Sequence, residues 1–145
     1  MRALGLDLGS KTLGIAITDS QKIIATGIEN FTYENNNLKK CIDKIKTIFQ
    51  QYQDIDTIVL GYVKYKSGDK SSQSYLTEKF MQLLKQNFYS NLKYVFHDES
   101  YSTINTISLM KEAGLKGSKI RKIKDKMSAV YILQDWLATN HEKKQ

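Results

Sequence analysis

The stretch from Arg2 to Thr18 reads as two short strands joined by a tight turn, and its alternation dictates what can pack on either side. Side chains on a strand point to opposite faces in turn. In Arg2–Leu8, Leu4, Leu6 and Leu8 face one way, while Ala3, Gly5 and Asp7 face the other. After a turn at Gly9-Ser10-Lys11, the strand Leu13–Thr18 repeats the pattern, with Leu13, Ile15 and Ile17 set against Gly14, Ala16 and Thr18. The hairpin has a bulky face that needs a thick apolar layer and a small face that another element can approach closely. Asp7 lies on the small face, flanked by Gly5 and Gly9. A carboxylate within an apolar strand is costly to bury without a partner. A cation is one such partner, and the small neighbours leave room for it. A turn or a lysine would serve a lone strand aspartate equally well.

The rest of the chain supplies the layers. Ile23–Phe31 is expected to be a third strand, with Gly27 as a candidate bulge. Asn35-Asn36-Asn37 can cap a helix running to about Gln51, whose Leu38, Ile42, Ile45 and Phe49 form an amphipathic stripe. Asp56–Leu60 reads as a short strand ending at Gly61. A polar loop from Tyr62 to Ser72 follows, with lysines interleaved between Tyr62 and Tyr65. A second helix is expected from Ser74 to about Phe88, with Leu76, Phe80, Leu83 and Leu84 inward. Tyr94–Asp98 is a fifth strand with Glu99 at its end. Ser102–Ala113 reads as a helix stopped by Gly114, and Lys119 to about Ala138 as the last one. This order predicts an α/β fold: a five-stranded mixed sheet, its first three strands an antiparallel meander, flanked by helices.

Composition narrows the function classes. Hydrophobic residues make up 41% of 145 residues, enough for one domain with a real core. No apolar run is long enough to span a membrane, and the N-terminus lacks a signal-peptide pattern. Cys41 stands alone, which fits a reducing, cytoplasmic setting, and no Cys/His spacing resembles a zinc site. The formal charge is +7, a balance that favours a polyanionic partner. Its densest basic segment runs from Lys111 to Lys126 and includes Lys119, Arg121, Lys122 and Lys124. These four, with Lys11 in the hairpin turn and Lys64 in the polar loop, are the candidate nucleic-acid contacts.

Four acids are candidates for chemistry: Asp7, Asp98, Glu99 and Asp125. In open α/β sheets, ligands gather outside the carboxyl ends of strands, where Asp98-Glu99 is expected. At helical spacing Asp125 shares a face with the small residues Ser128 and Ala129, which suits the small face of the hairpin and would bring Asp125 over Asp7. Converging carboxylates suit hard divalent cations. Two such ions about 4 Å apart can activate water and stabilise the leaving oxygen in phosphodiester cleavage.

The segment Gly5-Leu-Asp-Leu-Gly-Ser-Lys-Thr-Leu-Gly-Ile-Ala-Ile-Thr-Asp19 resembles the opening motif of the YqgF family, pre-16S rRNA nucleases also called Holliday-junction resolvases. Gly61 with the Lys64…Gly68 loop, Asp98-Glu99…Ser102-Thr103, and Asp125 through Leu137 extend the resemblance over essentially the whole chain in the family's order. The resemblance implies an RNase H-like fold similar to the RuvC resolvases, here a single nuclease domain over 1–139 followed by a short polar tail, 140–145. It implies a carboxylate site holding one or two Mg²⁺ (or Mn²⁺) ions on Asp7, Glu99 and Asp125, with Asp98 as the alternative second acid. The implied activity is Mg²⁺-dependent endonucleolytic cleavage in 5′-end maturation of pre-16S rRNA, on precursor ribosomal particles. Cleavage of four-way DNA junctions and non-catalytic binding of RNA or ribosomes are the alternatives, and a monomer or weak dimer is expected. The chain departs from the family at Ser100, where an arginine is usual, and at Tyr62-Val63, where Leu-Pro is usual. Serine cannot grip a phosphate bidentately as arginine can. Actin-like and sugar-kinase ATPases begin with a similar Gly-x-Asp-x-Gly, but they need a second comparable domain that this length does not provide.

Overall fold

In the computed structural model, the residues described are 1–34, 36–62, 72–98, 114 and 127–139. Their strands are β1 (Arg2–Leu8), β2 (Thr12–Thr18), β3 (Ala25–Thr32), β4 (Ile55–Tyr62) and β5 (Lys93–Asp98). Their helices are α1 (Leu38–Gln51), α2 (Ser72–Asn87) and α3 (127–139). The sheet order is β3-β2-β1-β4-β5. β1/β2 and β2/β3 pair antiparallel, while β1/β4 and β4/β5 pair parallel. This is the five-stranded mixed sheet with an antiparallel meander that the sequence predicts.

The two faces of the hairpin sort the core into two layers. Leu4, Leu6, Leu8, Leu13, Ile15 and Ile17 pack with Ile42, Ile45, Phe80 and Leu84 from α1 and α2. Ala3 and Ala16 pack on the other side with Ala129, Ile132, Leu133, Trp136 and Leu137 from α3. The close approach is real at Gly5: a Cβ there would lie 2.8 Å from Leu133 Cβ and 3.2 Å from the Ala129 carbonyl oxygen. Only glycine lets α3 settle at that depth.

Several boundaries move for identifiable reasons. The third strand starts at Ala25, not Ile23. The Asp19 carboxylate accepts the amides of Ile23 (2.6 Å) and Ile24 (3.0 Å), which holds both in a turn with Lys22 at φ 55°. The bulge falls beside Gly27, since Ile15 pairs with Glu29 and Ala16 with Gly27. Asn37 is the N-cap of α1, but its side chain makes no capping hydrogen bond. Phe49 sits at the rim of the helix stripe, stacked on Phe88 at 4.8 Å, and Cys41 and Ile48 take the buried positions instead. In α2 the buried line is Ser74, Thr77, Phe80, Met81 and Leu84; Leu76 and Leu83 flank it. β4 runs through Gly61 to Tyr62, whose hydroxyl donates to Glu78 at 3.2 Å, so Tyr62 closes a strand rather than opening a loop. Gly114 has φ +81°, the left-handed conformation suited to a helix-stopping glycine. The expected helix over 102–113, the loop at 116–118, the first part of the last helix and the tail 140–145 lie outside the described residues. Among the described residues, no helix is long and apolar enough to cross a membrane.

Candidate active site

β1 is the central strand of the sheet and carries Asp7 next to its carboxyl end. Alternation places Asp7 with Ala3 and Gly5 on the α3 side. Asp7 pairs directly with Gly14 of β2. On its other flank β4 runs in register Leu6↔Leu60, so Gly61 is the position level with Asp7. Two glycines therefore border the carboxylate, and neither adds a side chain to its face. One strand further out on each side, Asn30 pairs with Gly14 and His97 pairs with Gly61. A polar row, Asn30–Gly14–Asp7–Gly61–His97, thus crosses the sheet under α3. Asn30 Oδ1 is buried without a hydrogen-bond partner.

The helix reaches down to this row at two places. The Ser128 hydroxyl donates to Asp7 Oδ2. His97 Nε2 hydrogen-bonds Asp135 Oδ2 at 2.6 Å. The turn just beyond Asp7 is also held. The Gly9 amide donates to the Thr12 carbonyl at 2.7 Å, and the Tyr33 hydroxyl donates to the Gly9 carbonyl. Gln73 Nε2, near the start of α2, donates to the Leu8 carbonyl at 2.6 Å. Asp7 therefore stands on a strand end fixed from both layers.

Of the residues singled out in the sequence, Asp7 lies at the centre of this site. Lys11 is exposed in the adjoining turn. Asp98 ends β5 in register with Tyr62. Alternation puts it on the side of Phe96, whose ring meets Tyr62 at 5.1 Å, and so on the face opposite Asp7. Glu99, Asp125, Lys64, Lys119, Arg121, Lys122 and Lys124 lie outside the described residues. Sequence reasoning treated Ser128 only as a small residue and missed it as the partner of Asp7. It also missed the His97–Asp135 bond and the Tyr33 and Gln73 struts. The signal for Asp135 was there: it lies two helical turns beyond Ser128 and shares its face.

Among the described residues, no cluster of three or more His, Cys, Asp or Glu is poised on a metal. The described part of the site nevertheless suits a hard cation. It offers carboxylate and hydroxyl oxygens, has no thiolate, and is bordered by glycines that leave space at the carboxylate.

A model of the RuvX family, described as Holliday junction resolvase, matches residues 1–139. A protein of Ureaplasma parvum named "Putative pre-16S rRNA nuclease" is 46% identical, over 97% of this chain and 99% of its own. A protein of the same name from Mycoplasmopsis pulmonis is 39% identical, over 94% of this chain and 92% of its own. Among solved structures, Thermus thermophilus RuvC bound to a Holliday junction superposes with a TM-score of 0.59 at 10% identity, over 97% of this chain and 96% of that one. At that identity the likeness speaks for the RNase H-like fold alone.

Proposed function

This chain is a member of the RuvX family of nucleases, and we propose that it is a Mg²⁺-dependent endonuclease that trims the 5′ end of pre-16S rRNA. The observation that carries the reading is Asp7 itself: a carboxylate at the end of the central strand, bordered by Gly14 and Gly61 and oriented by Ser128. Asp125 precedes Ser128 by less than one helical turn of sequence, which supports Asp7 and Asp125 as ligands of a common site. The second acid is Glu99 rather than Asp98. Asp98 stands on the face opposite Asp7, which leaves Glu99 as the proposed second acid.

When bound, divalent cations at such a site supply an activated water and a charge that stabilises the departing oxygen. The chain's own residues prepare the ground for that chemistry. Ser128 fixes the rotamer of Asp7 by donating to its Oδ2, so the carboxylate stays directed under α3. The Tyr33 and Gln73 struts keep the strand end from fraying. Lys11 and the basic segment that includes Lys119, Arg121, Lys122 and Lys124 hold the phosphates of the substrate. An RNA substrate is favoured by the names of the relatives that match this chain along nearly their full length.

The test offers purified protein and Mg²⁺ with precursor rRNA and a four-way DNA junction side by side. Cleavage of the precursor at discrete 5′ sites, suppressed by EDTA, is the expected result. Cleavage of the junction alone would reassign the substrate to branched DNA. Binding without cleavage of either would make the protein a non-catalytic nucleic-acid factor.

A further inference from the structure

We propose that His97 and Asp135 form a positioning pair that locks the edge strand β5 to α3 and so keeps α3, with its Ser128, seated over Asp7 as metal binding there requires; this rests on the function proposed above. Among the described residues, β5 is the outermost strand on its side of the sheet, hydrogen-bonded through its backbone to β4 alone. An edge strand anchored along one side frays at its end unless a side chain holds it.

His97 supplies that hold. It lies on Asp7's face of the sheet, level with Asp7 across Gly61. Its ring is largely buried, with 14% of the side chain exposed, and it reaches Asp135 on α3 at 2.6 Å. The carboxylate accepts, so Nε2 carries the proton. Ser128, two helical turns back on the same face, holds Asp7. One rigid helix therefore grips the central strand at Asp7 through Ser128 and the edge strand at His97 through Asp135. Between them Ala129 and Leu133 bear on Gly5, which blocks the helix from sliding along the sheet. The apolar contact between β5 and this layer runs through Val95, which gives burial but no register. Among the described residues, the imidazole–carboxylate bond is the directional link between β5 and α3.

The experiment measures Mn²⁺ affinity of the nucleic-acid-free protein by calorimetry, alongside kcat and KM for the Mg²⁺-dependent cleavage. His97→Ala and Asp135→Ala should each weaken Mn²⁺ binding about tenfold and lower kcat with KM nearly constant, since substrate phosphates are held elsewhere. The double variant should be no worse than either single one, because the two act as a unit. Asp135→Asn keeps an acceptor oxygen and should recover most of the loss, which a purely charge-based role would not allow. Wild-type Mn²⁺ affinity in both alanine variants would overturn the positioning role and leave the function standing. A wild-type protein that binds no Mn²⁺ would overturn both. Because either alanine could loosen the fold, thermal melting is followed in parallel. A fall in melting temperature with Mn²⁺ affinity unchanged would also overturn the proposal.

Discussion

Gly5→Ala is a one-carbon perturbation whose cost can be worked from the coordinates. The added Cβ would sit 2.8 Å from Leu133 Cβ, 3.2 Å from Leu133 Cδ2 and 3.2 Å from the Ala129 carbonyl. Leu133 Cβ is fixed to the helix backbone and the carbonyl is backbone, so a side-chain rotation relieves only one of the three contacts. Carbon–carbon contact is optimal near 3.5–4.0 Å, so α3 must lift by about 0.8 Å. Overpacking of this kind costs about 1–3 kcal/mol. For a domain of this size each kcal/mol lowers the melting temperature by about 2–4 °C. Ser128 and Asp135 ride on the same helix and would be drawn from Asp7 and His97, so cleavage should fall further than stability does. Scanning calorimetry and the Mg²⁺-dependent cleavage assay read the two effects. An alanine variant with wild-type melting and wild-type cleavage would refute the claim that α3 sets the site by resting on Gly5.

Other expectations follow from single features. Nucleic-acid affinity should fall steeply with salt, and charge reversal at Lys119, Arg121 and Lys122 should flatten that slope, as read by binding titrations from low to high salt. Stability should decline as pH rises from about 9 towards 12. Burial pushes the Cys41 thiol up to about 12, and burial with the neighbouring Cys41 pushes the Tyr33 hydroxyl up to about 12. The folded chain keeps both protons after the unfolded chain has lost its own, so the stabilisation present below the unfolded values is lost on going alkaline; denaturant titrations across that range check it. The same burial predicts that Cys41 reacts with a thiol reagent only on unfolding. Asp125→Asn should stop cleavage while leaving the melting of metal-free protein unchanged or slightly raised, since in the proposed site it would remove repulsion from Asp7.

The fold was legible where alternation was strict. Leu4-x-Leu-x-Leu8 against Ala3, Gly5 and Asp7 predicted two unlike layers, and α1 with α2 on one side and α3 on the other are those layers. Boundaries were less legible because they depend on individual hydrogen bonds. Nothing in the β-rich run from Ile23 announces that Asp19 will claim its first two amides. At the candidate site, the position of Asp7 on the α3 side was readable because alternation puts it with Ala3 and Gly5. Helical spacing puts Ser128 and Asp135 on one face, but their partners Asp7 and His97 were not readable, because those meetings depend on how α3 lies across the sheet. Only the family resemblance set Glu99 ahead of Asp98 in the sequence, and register with Tyr62 is what turns Asp98 away from Asp7.

The most direct test of the account is Asp7→Asn, compared with wild type on precursor rRNA in Mg²⁺ and in EDTA. The amide keeps the shape of the carboxylate and an oxygen to accept the Ser128 hydroxyl, so the fold should be retained while one negative charge leaves the proposed metal site. The account predicts Mg²⁺-dependent cleavage by wild type, none by the variant, and equal melting temperatures without metal. Undiminished cleavage by a contaminant-free Asp7→Asn preparation would contradict it.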